Sequence, residues 1–98
     1  MVIKEQRDGN KLIINIDGRI DTNTAPDLND YLVKNLNGIK ALEINLEKVD
    51  YISSAGLRAL LFAQKIMDGQ GSMVVSHVCK DIMETFELTC FTDVLTII

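Results

Sequence analysis

Residues 41–58 read ALEINLEKVDYISSAGLR and contain the transition that decides the fold. Leu42, Ile44 and Leu46 alternate with polar residues, which is the period of two expected of a β-strand with one buried face. From Ser54 to Asp68 the apolar residues instead lie on two sides of a helix, with few polar residues between them. The stretch therefore predicts a strand followed by an apolar helix that is either deeply buried or partly offered to a partner.

The residues before this stretch predict a β-hairpin and a first helix. Asp8-Gly9 lies between Val2–Gln6 and Lys11–Ile16, and glycine takes the positive φ of a tight turn without strain. Thr24 is placed to cap a helix that ends at Gly38. An apolar stripe at every fourth position follows the cap, formed by Leu28, Leu32 and Leu36.

The residues after this stretch complete an alternation of strands and helices. Met73–Val75 predicts a short buried strand, Lys80–Leu88 a third helix, and Val94–Ile98 a last strand. The order ββαβαβαβ predicts an α/β fold with a central mixed, mostly parallel sheet and helices packed on it. The length of 98 residues fits a single domain over 1–98.

Composition excludes several classes of function. Ten Lys and Arg against fourteen Asp and Glu give a formal net charge of −4, without the basic stripe that binds nucleic acid. Cys79, Cys90 and a single histidine cannot supply the four ligands of a structural zinc site, so we expect no metal and no cofactor. No signal peptide is apparent, and no apolar run reaches the roughly 18 residues that span a bilayer. We expect a cytoplasmic protein with reduced thiols.

Catalysis has little support in the sequence. Ser54, His77 and Asp21 are the residue types of a Ser-His-Asp catalytic triad, but their spacing does not favour one. The GxSxG motif that surrounds the nucleophilic serine of many hydrolases is also absent. Neither of the glycine-rich nucleotide-binding motifs occurs. A hydrolase remains a minor alternative, and we expect a non-enzymatic protein.

The loop before the second helix is the most informative candidate site. Ser54 falls where the helix begins, which fits an N-cap, but a phosphate there would also be tolerated by the helix dipole and the free N–H groups. Gly56 lies in the first turn, where glycine costs about 1 kcal/mol relative to alanine. We therefore expect Gly56 to allow close approach of another group.

Three stretches resemble the STAS domain family, which includes sulfate transporters and anti-sigma factor antagonists. Gly18–Ala25 (GRIDTNTA) is similar to the loop before the family's first helix, Leu46–Ile52 (LEKVDYI) to its strand end, and Ser53–Arg58 (SSAGLR) to its switch loop. The resemblance implies partner switching. In anti-sigma factor antagonists, the unphosphorylated domain binds an anti-sigma factor that is also a serine kinase, and this binding frees the sigma factor. The kinase then uses ATP to phosphorylate a serine in the switch loop, which ends the binding. A serine phosphatase restores it.

The resemblance also implies the residues of the site. Ser54 takes the phosphoacceptor position and Asp21 that of the loop aspartate beside it. The best-known switch loops read Asp-Ser-Ser-Gly, whereas this one has Ser53 and Ala55 around the acceptor, so Ser53 is a second possible acceptor. The partner-binding residues implied are Asp21, Thr22, Asn23, Ser53, Ser54, Ala55, Gly56, Leu57 and Arg58. The chain ends at Ile98, where many relatives continue into another helix.

A second function is compatible with the same fold. STAS domains also serve as regulatory or docking subunits of lipid or anion transport systems, without phosphorylation. The two hypotheses differ in the protein that should copurify with this one. We expect a serine kinase for an anti-sigma factor antagonist and a transport ATPase for a docking subunit.

Overall fold

In the computed structural model, which describes residues 1–98, four strands form one sheet. The strands are β1 (Val2–Asp8), β2 (Lys11–Asp17), β3 (Ala41–Lys48) and β4 (Ser72–Ser76). Their order in the sheet is their order in the chain. β1 pairs antiparallel with β2, whereas β2–β3 and β3–β4 are parallel. The mixed, mostly parallel sheet predicted from the sequence is confirmed.

Three helices connect or follow the parallel strands. They are α1 (Ala25–Asn35), α2 (Ser54–Asp68) and α3 (Lys80–Leu88), and a short 3-10 helix follows at Phe91–Asp93. The bounds of α2 and α3 agree with those predicted from the sequence. The longest helix has 15 residues, and no helix combines the length and the apolar character needed to cross a bilayer.

One face of the sheet and the inner faces of the helices share a single core. In β2 and β3 every second side chain is buried, as the alternating pattern predicts. These side chains join those of β4 and of all three helices in one contiguous apolar cluster. Its fully buried members include Ile14, Ile44, Leu60 and Phe86. The carboxyl ends of β2 and β3 are both anchored in this core, through Ile16 and Leu46.

The C-terminal segment differs from the predicted last strand. Val94–Ile98 forms only an isolated parallel bridge, between Ile97 and Val75. The Val75 N–H donates to the Thr96 carbonyl (2.8 Å) and the Ile98 N–H donates to the Val75 carbonyl (3.0 Å). The N–H groups of Val94 and Leu95 both donate to the Phe91 carbonyl, so the first residues of the segment are held in the turn of the 3-10 helix and only its end can pair with β4. The segment lies beside β4, but the predicted strand is reduced to a single bridge.

Candidate functional site

Two loops meet at the carboxyl ends of β2 and β3. We call them together the two-loop site, residues 18–24 and 49–58. The Ile20 N–H donates to the Tyr51 carbonyl (3.1 Å), and the Ser53 N–H donates to the Ile20 carbonyl (2.9 Å). These bonds form a parallel bridge between Ile20 and Ile52, both buried. The structure thus joins the segment that contains Asp21 to the segment that contains Ser54.

Ser53, and not Ser54, is the N-cap of α2. Its backbone is extended (φ −91°, ψ 176°), and its Oγ accepts a hydrogen bond from the Gly56 N–H at 3.3 Å. The cap predicted at Ser54 is therefore wrong by one residue. The reason is that the bond from the Ser53 N–H to Ile20 holds residue 53 in the extended sheet-like backbone, so the helix begins only after it.

Ser54 is the first helical residue, and its side chain is exposed. The N–H groups of Ser54 and Ala55 have no acceptor within the protein, as is usual for the first turn of a helix. They leave partial positive charge beside the Ser54 hydroxyl. Arg58 follows one turn later and is also exposed. Ser54 is accordingly accessible to a modifying enzyme or a partner.

Gly56 lies directly against Ile20 and Ile52, the residues that bridge the two loops. A Cβ atom at this position would lie 2.6 Å from Cγ1 of Ile52 and 2.7 Å from the carbonyl oxygen of Ile20. The expectation that Gly56 allows the close approach of another group is confirmed.

Asp21 organises the turn that leads into α1. Its Oδ1 accepts hydrogen bonds from the N–H groups of Asn23 (2.9 Å) and Thr24 (3.1 Å). In return, the Thr24 hydroxyl accepts from the Asp21 N–H (2.9 Å) and donates to the Arg19 carbonyl (2.8 Å). Thr24 occupies the N-cap position of α1 as predicted, but its side chain does not cap that helix.

The electrostatics of the turn favour a charged Asp21. The hydrogen bond from the Thr24 N–H is the main cause that holds the pKa of Asp21 below its usual value. Partial desolvation opposes this effect, while the Asn23 N–H, the Thr24 hydroxyl and the charge of Arg19 add to it. One oxygen of this carboxylate, Oδ1, therefore accepts the hydrogen bonds of its own turn, while Oδ2 faces Arg19.

Arg19 and Tyr51 form a contact that the sequence analysis missed. The Arg19 guanidinium carbon lies 4.2 Å from the centroid of the Tyr51 ring, which is a cation–π distance. Arg19 Nε is 3.7 Å from Oδ2 of Asp21. No local pattern predicts this contact, because it depends on the bridge that brings residues 19 and 51 side by side.

The predicted site residues differ in exposure. Of the nine, Thr22, Asn23, Ser54 and Arg58 are exposed, and Asp21, Ser53 and Ala55 are half-buried. Gly56 and Leu57 are buried, and Leu57 belongs to the core. These two contribute to the shape of the site and offer little surface to a partner. No three His, Cys, Asp or Glu side chains are arranged to hold a metal ion.

Comparisons with known proteins agree on one family. The family model of the STAS domain matches residues 1–98. BtrV of Bordetella bronchiseptica, named as a candidate anti-sigma factor antagonist, is 31% identical over 88 residues, which are 88% of this chain and 76% of BtrV. The anti-sigma-B factor antagonist of Bacillus subtilis is 30% identical over 89 residues, 90% of this chain and 82% of that protein.

A solved structure shows the same fold. The crystal structure of an anti-sigma factor antagonist from Mycobacterium paratuberculosis has a TM-score of 0.86 with this chain at 20% identity. The match covers 98% of this chain and 83% of that one.

Proposed function

Because the chain belongs to the STAS domain family, we propose that it is a non-enzymatic anti-sigma factor antagonist that acts by partner switching. Its unphosphorylated form binds an anti-sigma factor with serine kinase activity, and the sigma factor is released. The kinase transfers the γ-phosphoryl group of ATP to Ser54 Oγ, which loses its proton as ADP leaves. The phosphorylated form no longer binds, and a serine phosphatase reverses the step. Two relatives support the role: the Bacillus subtilis protein is named as an antagonist, and BtrV is named as a candidate one.

The observation that carries the choice of acceptor is the difference between the two serines. Ser53 is half-buried and its hydroxyl oxygen is engaged by the Gly56 N–H. Ser54 is exposed, and its side chain makes no hydrogen bond within the protein. A kinase can reach the Ser54 hydroxyl without unfolding the first turn of α2, whereas phosphorylation of Ser53 would cost the cap.

The location of Ser54 explains how a phosphate could change binding without changing the fold. A phosphoserine adds about −1.5 to −2 charges at pH 7, and the start of a helix accommodates an anion. A partner on the exposed surface around Ser54 would meet that charge and its bulk. This surface continues along the outer face of α2 through Arg58, Phe62 and Lys65, all exposed.

Phosphorylation can be tested with a matched pair of variants. Incubation with the cognate anti-sigma factor and Mg-ATP should add about 80 Da, mapped to the peptide that contains Ser54. Ser54→Ala should abolish the added mass. Ser53→Asn should keep it, since asparagine caps helices well but cannot accept a phosphate from a serine kinase. Added mass that survives in Ser54→Ala and is lost in Ser53→Asn would move the acceptor to Ser53.

Binding can be tested separately from phosphorylation. Ser54→Asp should weaken binding to the anti-sigma factor at least tenfold in titration calorimetry, while the melting temperature changes by no more than about 2 °C. Equal affinity of this variant and the wild-type protein would contradict the switch. A protein that is never modified and copurifies with a transport ATPase would instead support the docking role.

A further inference from the structure

The two edges of the sheet differ in how they are covered. At the β4 edge, the C-terminal segment pairs with Val75 through hydrogen bonds of Thr96 and Ile98. β1 forms the other edge, and no segment of the chain pairs with its outer side. It pairs with β2 along its full length without a bulge, and it contains no proline. An edge strand of this kind offers unpaired N–H and C=O groups to another strand.

The direction of the β1 backbone follows from the pairing of β2. Just before β2 the Asn10 carbonyl accepts from the Lys40 N–H (2.7 Å), and just after it the Gly18 N–H donates to the Lys48 carbonyl (3.1 Å). Because backbone groups alternate in direction along a strand, the even-numbered residues of β2 bond to β3 and the odd-numbered residues bond to β1. The β1 partners of these odd-numbered residues are Val2, Lys4, Gln6 and Asp8. The backbone groups of Ile3, Glu5 and Arg7 therefore point away from the sheet.

The charges of β1 are complementary to those of a second copy of the same strand. Residues 4–8 read KEQRD, so the order of charge is positive, negative, neutral, positive and negative. In an antiparallel pair centred on Gln6, Lys4 lies opposite Asp8 of the partner subunit. Glu5 likewise lies opposite Arg7 of the partner subunit. Opposite charges in directly facing positions stabilise a pair of strands, and like charges destabilise it.

The other registers lack this complementarity. A twofold axis perpendicular to the sheet passes through one residue of β1, so that facing side chains lie on the same face. An axis at Lys4, Glu5 or Arg7 would place that residue opposite the same charge in the second copy. With the axis at Gln6, Glu5 and Arg7 face each other, and both have outward backbone groups that can exchange N–H···O bonds. Charge and backbone direction thus agree on one register.

Glu5 is already held in position at this edge. Its Oε2 accepts a hydrogen bond from the Tyr31 hydroxyl of α1 (2.8 Å) and lies 3.3 Å from Nη2 of Arg7. The Glu5 and Arg7 side chains are 42% and 41% exposed, so part of each is free to meet a second copy. Because Tyr31 restricts the carboxylate before association, less side-chain entropy is lost when a second guanidinium binds it.

We propose that the chain forms a symmetric dimer in which β1 pairs antiparallel with β1 of a second copy, centred on Gln6. The two four-stranded sheets become one continuous sheet. On one face the Glu5 and Arg7 side chains of both copies form a ring of alternating charge, and on the other face Lys4 and Asp8 pair across the axis. The paired segment is short, so the dimer is weak and forms at high protein concentration.

Dimerisation leaves the two-loop site uncovered. The loop that contains Ser54 follows β3, which β2 separates from β1. The loop that contains Asp21 follows β2 at the end where Asp17 pairs with Val2, outside the paired residues 4–8. One dimer therefore carries two separate two-loop sites, and the proposal does not depend on what those sites bind.

Sedimentation equilibrium of the full chain at low ionic strength, from micromolar to millimolar concentration, tests for the dimer. The weight-average mass should rise from that of one chain toward that of two. Added salt should reduce this rise, because it screens ion pairs between exposed side chains. The mass of a single chain throughout the range overturns the proposal.

Charge reversals distinguish β1 from every other surface. Arg7→Glu brings two carboxylates face to face and should abolish association, and Glu5→Arg should do the same with two guanidiniums. An equimolar mixture of the two variants should associate again, since each cation then faces a carboxylate. Lys80→Glu, at the start of α3, changes the net charge as Arg7→Glu does and should leave the dimer intact. Association that survives in either reversal, or that the mixture does not restore, overturns the proposal.

Amide hydrogen exchange identifies the register. Where the dimer forms, the N–H groups of Glu5 and Arg7 should exchange more slowly than in the dilute protein, because each donates to the second copy. The Ile3 N–H should not change, because this register places it opposite Gly9, which lies in the turn after β1 with φ 60°. Protection of Ile3, or unchanged exchange at Glu5 and Arg7, overturns the proposal.

Discussion

Gly56 sets the distance between the two loops. Glycine in a helix costs about 1 kcal/mol relative to alanine, so its presence in the first turn of α2 needs a compensating reason. The carbonyl oxygen of Ile20 would be only 2.7 Å from a Cβ atom at 56, and this same oxygen accepts the Ser53 N–H. Any larger residue would press on the bridge that joins the loops.

We expect Gly56→Ala to destabilise the protein by about 1–3 kcal/mol, because overpacking outweighs the gain in helix propensity. Gly69→Ala is the matched control at the other end of α2. There φ is −83° and the nearest atom to a new Cβ is 3.5 Å away, so alanine should be neutral or stabilising by up to about 1 kcal/mol. Urea unfolding measures both changes. Equal stability of Gly56→Ala and wild type would show that the loops can separate at little cost.

The N-cap of α2 shows where the local sequence does not determine the structure. Ser53 and Ser54 are equally good caps by type, and nothing local chooses between them. The choice is made by the hydrogen bond from the Ser53 N–H to Ile20, a residue 33 positions earlier in the chain. By contrast, the role of Gly56 followed from its cost in a helix, which is a local property.

At the scale of elements, the stability contributed by the turn before α1 depends on pH. Its hydrogen bonds converge on the Asp21 carboxylate and hold its pKa below the usual value. A group whose pKa is lowered by folding adds stability above its unfolded pKa, here about 4. This contribution is lost as the pH falls through the folded pKa.

Asp21→Asn should therefore be less stable than the wild-type protein at pH 7, with a difference that shrinks as the pH falls below about 4. Asparagine keeps an oxygen that can accept from the Thr24 N–H, so the comparison isolates the charge. The free energy of unfolding in urea, measured from pH 7 to pH 3, gives both curves. Parallel curves would mean that the carboxylate charge contributes nothing to the turn.

The elements differ in how far local sequence determines them. α2 and α3 were predicted with their observed bounds, since apolar periodicity and flanking polar residues are local signals. The predicted C-terminal strand is reduced to a bridge, because the N–H groups of Val94 and Leu95 donate to the Phe91 carbonyl and only the end of the segment is left to pair. This turn follows Cys90, whose left-handed backbone (φ 62°) no local sequence pattern predicts.

At the scale of the whole molecule, parallel pairing creates the candidate site. β2 and β3 run in the same direction, so the loops that follow them emerge at the same edge. The parallel order predicts that the loops after these strands share one edge, but only the resemblance to the STAS family implied that Asp21 lies beside Ser54. Neither predicts the contact between Arg19 and Tyr51, which requires side-chain positions.

The single core predicts that the site unfolds with the rest of the chain. Helices and strands share one apolar cluster, and buried Ile20 and Ile52 tie the two-loop site to it. A domain of this size with one core normally unfolds in a single transition. The chain has two tyrosines and no tryptophan, so in Tyr31→Phe the remaining fluorescence comes from Tyr51 in the two-loop site. We expect its urea transition to coincide with that of the helical circular dichroism signal at 222 nm. A Tyr51 transition at lower urea would show that the site opens before the core, and binding would then include the cost of ordering it.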